Sequence, residues 1–218
     1  MGSAAIFSHV ARGSSNDKES IRYTAAPTRR LTGMGRSEAI EEALAALKSA
    51  REICTETQVA AAITRMAEAV TQVVQHDNPV VLAVMRGGVF TATELCRRLT
   101  FPYQFDFVHG TRYGDLLTGG ELNWPVPPSA NLAGRTVVVV DDILDRGLTL
   151  HALYEALQQL GVVAIYSAVL VSKAVGVSAS RPEVDFVGLN VDDVYVFGCG
   201  MDYKGYWRGL PSLFSLAS

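Results

Sequence analysis

Residues 137–140 are four consecutive valines, and Asp141 and Asp142 follow them directly. A strand with one face in water alternates apolar and polar side chains, whereas an unbroken apolar run is buried on both faces. Covering both faces of a sheet within one chain calls for helices on either side and largely parallel strands, an α/β architecture. In such sheets ligands bind beyond the carboxyl ends of the strands. That is where the chain puts Asp141, Asp142 and Asp145, followed by Gly147 and Thr149.

The flanking pattern agrees. The stretch SEAIEEALAALKSAREI, residues 37–53, is rich in Ala, Leu and Glu and reads as a helix. Thr55 and Gln58 have capping-box spacing. After them Val59, Ile63, Met66, Val70 and Val73 lie on one helical face, which ends near Asp77-Asn78-Pro79. A strand over 80–85, a turn at Arg86-Gly87-Gly88, a helix over 89–99 and a strand over 103–109 come next. Residues 110–130 carry Gly and Pro without a period. Beyond them the pattern gives the strand 136–140, then a helix over 148–160 with Leu150, Leu153, Leu157 and Leu160 inward. A strand over 164–171 and short strands over 185–189 and 194–197 complete it. Residues 1–36 have a polar loop composition and read as a flexible extension, leaving 37–218 as the folded domain.

Net charge is -3 with a pI near 5.8, which disfavours a basic nucleic-acid binder. No apolar run approaches the ~20 residues of a membrane span. Cys54, Cys96 and Cys199 are odd in number and widely spaced, so neither a zinc cluster nor a disulfide framework is expected. The three read as buried free thiols of a cytoplasmic protein.

Three strand ends carry unusual chemistry. At Met85-Arg86-Gly87-Gly88 the glycines bare backbone N–H groups and Arg86 adds a cation, although an ordinary turn with an exposed arginine has the same sequence. At Asp145-Arg146-Gly147-Leu148-Thr149, a glycine, a hydroxyl and a helix start form a phosphate cradle, with neither the GxxxxGK[ST] nor the GxGxxG pattern. Asp141 and Asp142 point to opposite faces of the strand and suit ribose hydroxyls or a hydrated Mg2+; an acidic turn or helix cap is the plainer reading. Near the C-terminus Lys173, Tyr195 and Tyr203 suit a flat heterocycle, or a packed aromatic core.

The 13 residues VVVVDDILDRGLT (137–149) resemble the phosphoribosyl-pyrophosphate (PRPP) signature of type I phosphoribosyltransferases. MRGG, Lys173 and the segment YVFGCGMDYKGYWRGL narrow the resemblance to the hypoxanthine-guanine branch. It implies a central, mostly parallel sheet flanked by helices, with a small hood over the strand ends. It implies transfer of the 5-phosphoribosyl group from PRPP to hypoxanthine or guanine, giving IMP or GMP and pyrophosphate, with Mg2+ and a homodimeric or homotetrameric assembly. By the same resemblance Asp141 and Asp142 bind the ribose hydroxyls, directly or through Mg2+. Asp145 is the acid/base near purine N7. Residues 145–149, including Arg146, Gly147, Leu148 and Thr149, wrap the 5′-phosphate. Arg86, Gly87 and Arg208 contact pyrophosphate, and a cis-prone peptide falls at Met85–Arg86. Lys173, Tyr195 and the Val196 carbonyl hold the purine, Asp202 lies near the base and ligates Mg2+, and Arg112 and Tyr113 belong to a lid. Arg146, Leu148 and Arg112 depart from the commoner family residues at their positions.

The chemistry fits these residue types. Loss of pyrophosphate develops oxocarbenium character that carboxylates stabilise, and a site that excludes water needs a lid. An aspartate with a pKa near 3.9 is a weak base at neutral pH, and crowding by other carboxylates would raise the value for Asp145. Rival readings are a transferase preferring xanthine or adenine, a regulator that senses PRPP on nucleic acid, and a nucleotide-binding protein without transfer activity.

Overall fold

The computed structural model describes residues 38–112, 122–175 and 181–216, all within one compact unit, Arg36–Ser218. The extension expected over 1–36 and its boundary near residue 37 lie outside the described residues. In chain order the elements are α1 (Glu38–Ser49), β1 (Arg51–Cys54), α2 (Glu56–Val74), β2 (Val80–Val84), α3 (Gly88–Cys96), β3 (Gln104–Arg112) and β4 (Leu122–Val126). Then come β5 (Thr136–Leu144), α4 (Leu148–Gln159), β6 (Ala164–Lys173), β7 (Phe186–Val191), β8 (Val196–Phe197) and β9 (Leu213–Ser215).

Six strands form the main sheet in the order β4-β3-β2-β5-β6-β7, parallel except for the edge strand β4. The valine run lies in β5 at its centre, and Val137 to Val140 are fully buried. Alternation divides them between two layers. Val138 and Val140 join Val81 and Ala83 under α2 and α3, and Val137 and Val139 join Val80 and Leu82 under α4. From β2 the chain runs outward to β3 and later returns to β5 on the other side of β2. A crevice opens at such a reversal, beyond the carboxyl ends of the two strands. A separate antiparallel sheet, β1-β9-β8, is the hood.

Several expectations needed correction. The first helix stops at Ser49 instead of reaching residue 53, because Arg51–Cys54 pairs with β9 and that long-range pairing overrides local helix propensity. On α2, Val74 is fully buried while Val73 is 44% exposed, since the 3.6-residue period drifts off the assumed steps of three and four. Leu160 is exposed where α4 ends. β5 continues through both aspartates to Leu144, pairing Asp141 with Val169 and Ile143 with Val171. β4 lies inside the stretch without a period, and its Pro125 is tolerated because it is an edge strand. All three cysteines are free, but only Cys199 is buried; burial, with Cys54 nearby, pushes its thiol up to about 12.

Candidate active site

A cavity of about 660 Å3 opens where the chain reverses between β2 and β5. Its wall includes Arg86 and Gly87 from the end of β2, Asp141 and Asp142 from β5, residues 145–149 from the following loop, and Arg208 from the C-terminal segment. The Met85–Arg86 peptide is cis.

Two helices begin at this cavity, α3 after Gly87 and α4 after Gly147, and neither first turn is capped by a side chain. The N–H groups of a first helical turn have no partner within the helix and carry the positive end of its dipole. Apart from the Val89 N–H, which donates to the Arg86 carbonyl at 3.4 Å, they are therefore free for an anion. Gly147 has φ +75, a left-handed conformation that disfavours a side chain, and a Cβ there would come 2.5 Å from Pro182 Cδ. At Gly87 the requirement is contact alone. A Cβ would fall 1.7 Å from Asp142 Oδ2, so only glycine admits that carboxylate.

The carboxylates differ in setting. Asp142 is 8% exposed, and its backbone N–H donates to Asp141 Oδ1 at 2.9 Å. Burial, with the charge of Asp142 adding to it, pushes the Asp141 carboxyl well above the usual range. Burial also raises Asp142, against the opposing pull of a hydrogen bond with Asp141 and the charge of Arg208. Asp145 and Arg146 stand exposed in the loop. Crowding between carboxylates is found at the pair inside the strand.

A second group comes from the end of β6 and from the C-terminal segment that carries β8. Lys173 closes β6 with its side chain 14% exposed, and its Nζ is 3.6 Å from Asp193 Oδ1. Tyr195 is 48% exposed, donates its hydroxyl to the Asp202 carbonyl at 2.9 Å, and meets Tyr203 edge-on at 6.0 Å between ring centroids. Val196 is buried in β8. Asp202 accepts from the Gly205 N–H at 2.6 Å and pairs with Arg208, which also donates to the Gly200 carbonyl at 2.7 Å.

Comparison with known proteins decides what this arrangement belongs to. The family model for the phosphoribosyl transferase domain matches residues 49–204. The chain belongs to the phosphoribosyl transferase family. It is 32% identical over 149 residues to a hypoxanthine-guanine-xanthine phosphoribosyltransferase of Tritrichomonas foetus, covering 68% of this chain and 81% of the relative. It is 27% identical over 160 residues to the hypoxanthine-guanine phosphoribosyltransferase of Bacillus subtilis (strain 168), covering 73% and 88%. A solved hypoxanthine phosphoribosyltransferase from Trypanosoma cruzi, a mutant in a ternary substrates complex, superposes with a TM-score of 0.70 at 26% identity, covering 78% and 97%.

In this phosphoribosyl transferase chain, the ten positions singled out for PRPP all line the one cavity. Lys173, Tyr195, Val196 and Asp202 do not line it; Lys173 ends β6 of the main sheet, and the other three lie in the C-terminal segment that carries β8. Arg112 ends β3 opposite Leu122, and Tyr113 lies outside the described residues. Sequence reasoning missed Asp193 beside Lys173, and Arg181-Pro182 beneath Gly147. Neither position carries a period or a motif. No helix among the described residues is long and apolar enough to cross a membrane.

Proposed function

We propose that the protein transfers the 5-phosphoribosyl group of PRPP to hypoxanthine or guanine, releasing pyrophosphate and forming IMP or GMP. The carrying observation is the gathering of Arg86, Gly87, Asp141, Asp142, residues 145–149 and Arg208 about a single cavity. Its volume, about 660 Å3, lies within the usual ligand-pocket range of roughly 300–1,000 Å3. The names of the relatives from Tritrichomonas foetus and Bacillus subtilis supply the purine class.

In this reading the uncapped start of α4 and the Thr149 hydroxyl hold the 5′-phosphate, while Arg86 and the N–H groups after Gly87 hold pyrophosphate, with Arg208. Asp141 and Asp142 face the ribose hydroxyls, and their negative charge favours the oxocarbenium character that develops as pyrophosphate departs. Asp145, exposed at the loop and within the same wall, takes the N7 proton of the incoming base. The Lys173 ammonium donates to the purine O6, the open face of Tyr195 stacks on the ring, and the Val196 carbonyl accepts from the base.

The residues present fit Mg2+. Two crowded carboxylates, raised by burial, are the hard oxygen donors it takes, and it needs only one or two beside substrate oxygens and water. Asp141 and Asp142 would hold it; Asp202, which the resemblance also assigns to Mg2+, pairs with Arg208 outside the cavity wall, and among the described residues no three metal-binding side chains are grouped to share one ion. When bound, Mg2+ neutralises charge on the departing pyrophosphate. The protein works in the cytoplasm as a homodimer or homotetramer, and the exposed Phe105 and Phe107 of β3 are apolar surface such an assembly would cover.

The test is pyrophosphate release from PRPP and Mg2+ with hypoxanthine, guanine, xanthine or adenine offered singly. Release with hypoxanthine or guanine is expected; release with adenine alone, or with no base, would overturn the reading. Asp145→Asn is expected to lower kcat ~10²-fold or more with little change in PRPP affinity, the scale of general acid–base catalysis. Unchanged turnover in that variant would remove Asp145 from the acid/base role.

A further inference from the structure

The connection from β6 to β7 contains Arg181-Pro182, outside every motif that carries the family resemblance. Arg181 is part-buried, and the two protons of its Nη2 are shared among three oxygens within hydrogen-bond distance: the Leu144 carbonyl at 3.2 Å, Ser172 Oγ at 3.0 Å and the Lys173 carbonyl at 2.8 Å. Leu144 is the last residue of β5 and precedes Asp145; Lys173 is the last residue of β6. One guanidinium nitrogen thus bridges the ends of the two strands that lead into the phosphate loop and carry the purine lysine. The stem of the same residue supports the loop from below. A Cβ on Gly147 would meet Arg181 Cγ at 3.3 Å and Pro182 Cδ at 2.5 Å.

Hydrogen bonds from a charged donor are about twice as strong as neutral ones, and guanidinium is the charged donor least costly to desolvate. Yet Arg181 contacts no residue lining the cavity by its charge except the Leu144 carbonyl, and its buried Nε has no partner among the described residues. A side chain placed this way sets a distance. In a nucleotide the separation of phosphate and base is fixed by the ribose between them, so loop and lysine must stand at a matching spacing. A misplacement of about 1 Å between reacting parts costs on the order of 10²-fold in rate.

We propose that Arg181 is a positioning residue that holds the phosphate loop, residues 145–149, in register with Lys173. This rests on the reading above, in which the loop takes the 5′-phosphate and Lys173 the purine. The consequence is specific. A ligand that touches both ends feels the loss of Arg181 more than a ligand that touches one.

The experiment compares wild type with Arg181→Gln, Arg181→Lys and Ser172→Ala. IMP or GMP affinity, PRPP affinity with Mg2+, turnover and thermal midpoint are measured for each. For Arg181→Gln we expect about a tenfold loss of nucleotide affinity against about threefold or less for PRPP. Arg181→Lys should recover part of the loss, and Ser172→Ala, which removes one acceptor, should show a smaller fall of the same kind. Nucleotide and PRPP affinities that fall by the same factor along with the thermal midpoint would overturn the proposal in favour of a purely structural role. Unchanged nucleotide affinity in a folded Arg181→Gln protein would overturn it outright. Should Arg181→Gln fail to fold, Ser172→Ala decides by the same comparison. Failure of wild type to bind IMP or GMP at all would strike the assigned function, a result distinct from either.

Discussion

Two helix starts in this molecule solve the same problem in opposite ways. At α2 the chain supplies its own partners: Thr55 Oγ1 accepts from the Gln58 N–H at 3.3 Å, and Gln58 Oε1 accepts from the Thr55 N–H at 2.8 Å. At α4 the cap position is Gly147, and no side chain turns back on the first turn. A good capping side chain contributes typically ~1 kcal/mol, so α4 forgoes a stabilisation that α2 takes. Carboxylates repeat the contrast. Asp106 accepts from the Phe107, Ser129 and Ala130 N–H groups and from the Ser129 hydroxyl. Asp141 and Asp142 crowd each other and are pushed upward by burial. The closed examples lie on the scaffold and the open ones line one cavity, so unmet bonding capacity is concentrated where a charged ligand would supply it.

The sharpest way to break the comparison is to spoil an open end. Gly147→Ala places a side chain at φ +75 and against Pro182 Cδ, so the loop must shift. KM for PRPP is expected to rise about tenfold or more, the change that about 1.4 kcal/mol produces. An unchanged KM in steady-state kinetics would mean that the loop geometry is not what the cavity requires.

The closed carboxylate gives a smaller effect of another kind. Burial of Asp106 acts against its charge but is outweighed by the bonds from Ala130, Phe107 and Ser129, so its carboxyl lies below the ordinary value. A depressed folded value contributes stability that is present above the unfolded value, about 3.9, and is lost as pH falls through the folded one. Asp106→Asn is expected to cost about 1–3 kcal/mol near neutral pH. Denaturant titration should show the gap from wild type narrowing below about pH 4. A gap of the same size at every pH would remove the charge from the account.

The same division explains what was legible in the sequence. Val137 to Val140 announced a doubly covered strand, Leu150, Leu153 and Leu157 announced the helix on it, and Gly147 between them marked the open turn. These are signals of local period and local conformation. β1, β4 and β9 stayed hidden because their few residues become strands only by pairing across the chain, as Arg51 does with Ser215. The extent of β5 was misread for a related reason: aspartates are poor strand formers, yet Asp141 is held by β6. Arg181 gave no signal, since its importance lies in oxygens of residues 8, 9 and 37 positions away.

The closed helix start offers the control for all of this. Thr55→Ala removes the hydroxyl that accepts from Gln58, and leaves the Thr55 backbone N–H still donating to Gln58 Oε1. The expected loss is about 1 kcal/mol of stability, at the middle of the range for caps. In a domain of this size that shifts the midpoint by roughly 2–4 °C. No change in kcat or in KM for PRPP is expected, because the first turn of α2 is exposed and contributes nothing to the cavity wall. Kinetics and thermal unfolding of the one variant therefore separate the two kinds of helix start. A KM shift for Thr55→Ala comparable to that for Gly147→Ala would show that loss of scaffold stability alone weakens PRPP binding, and the distinction between closed and open ends would fall with it.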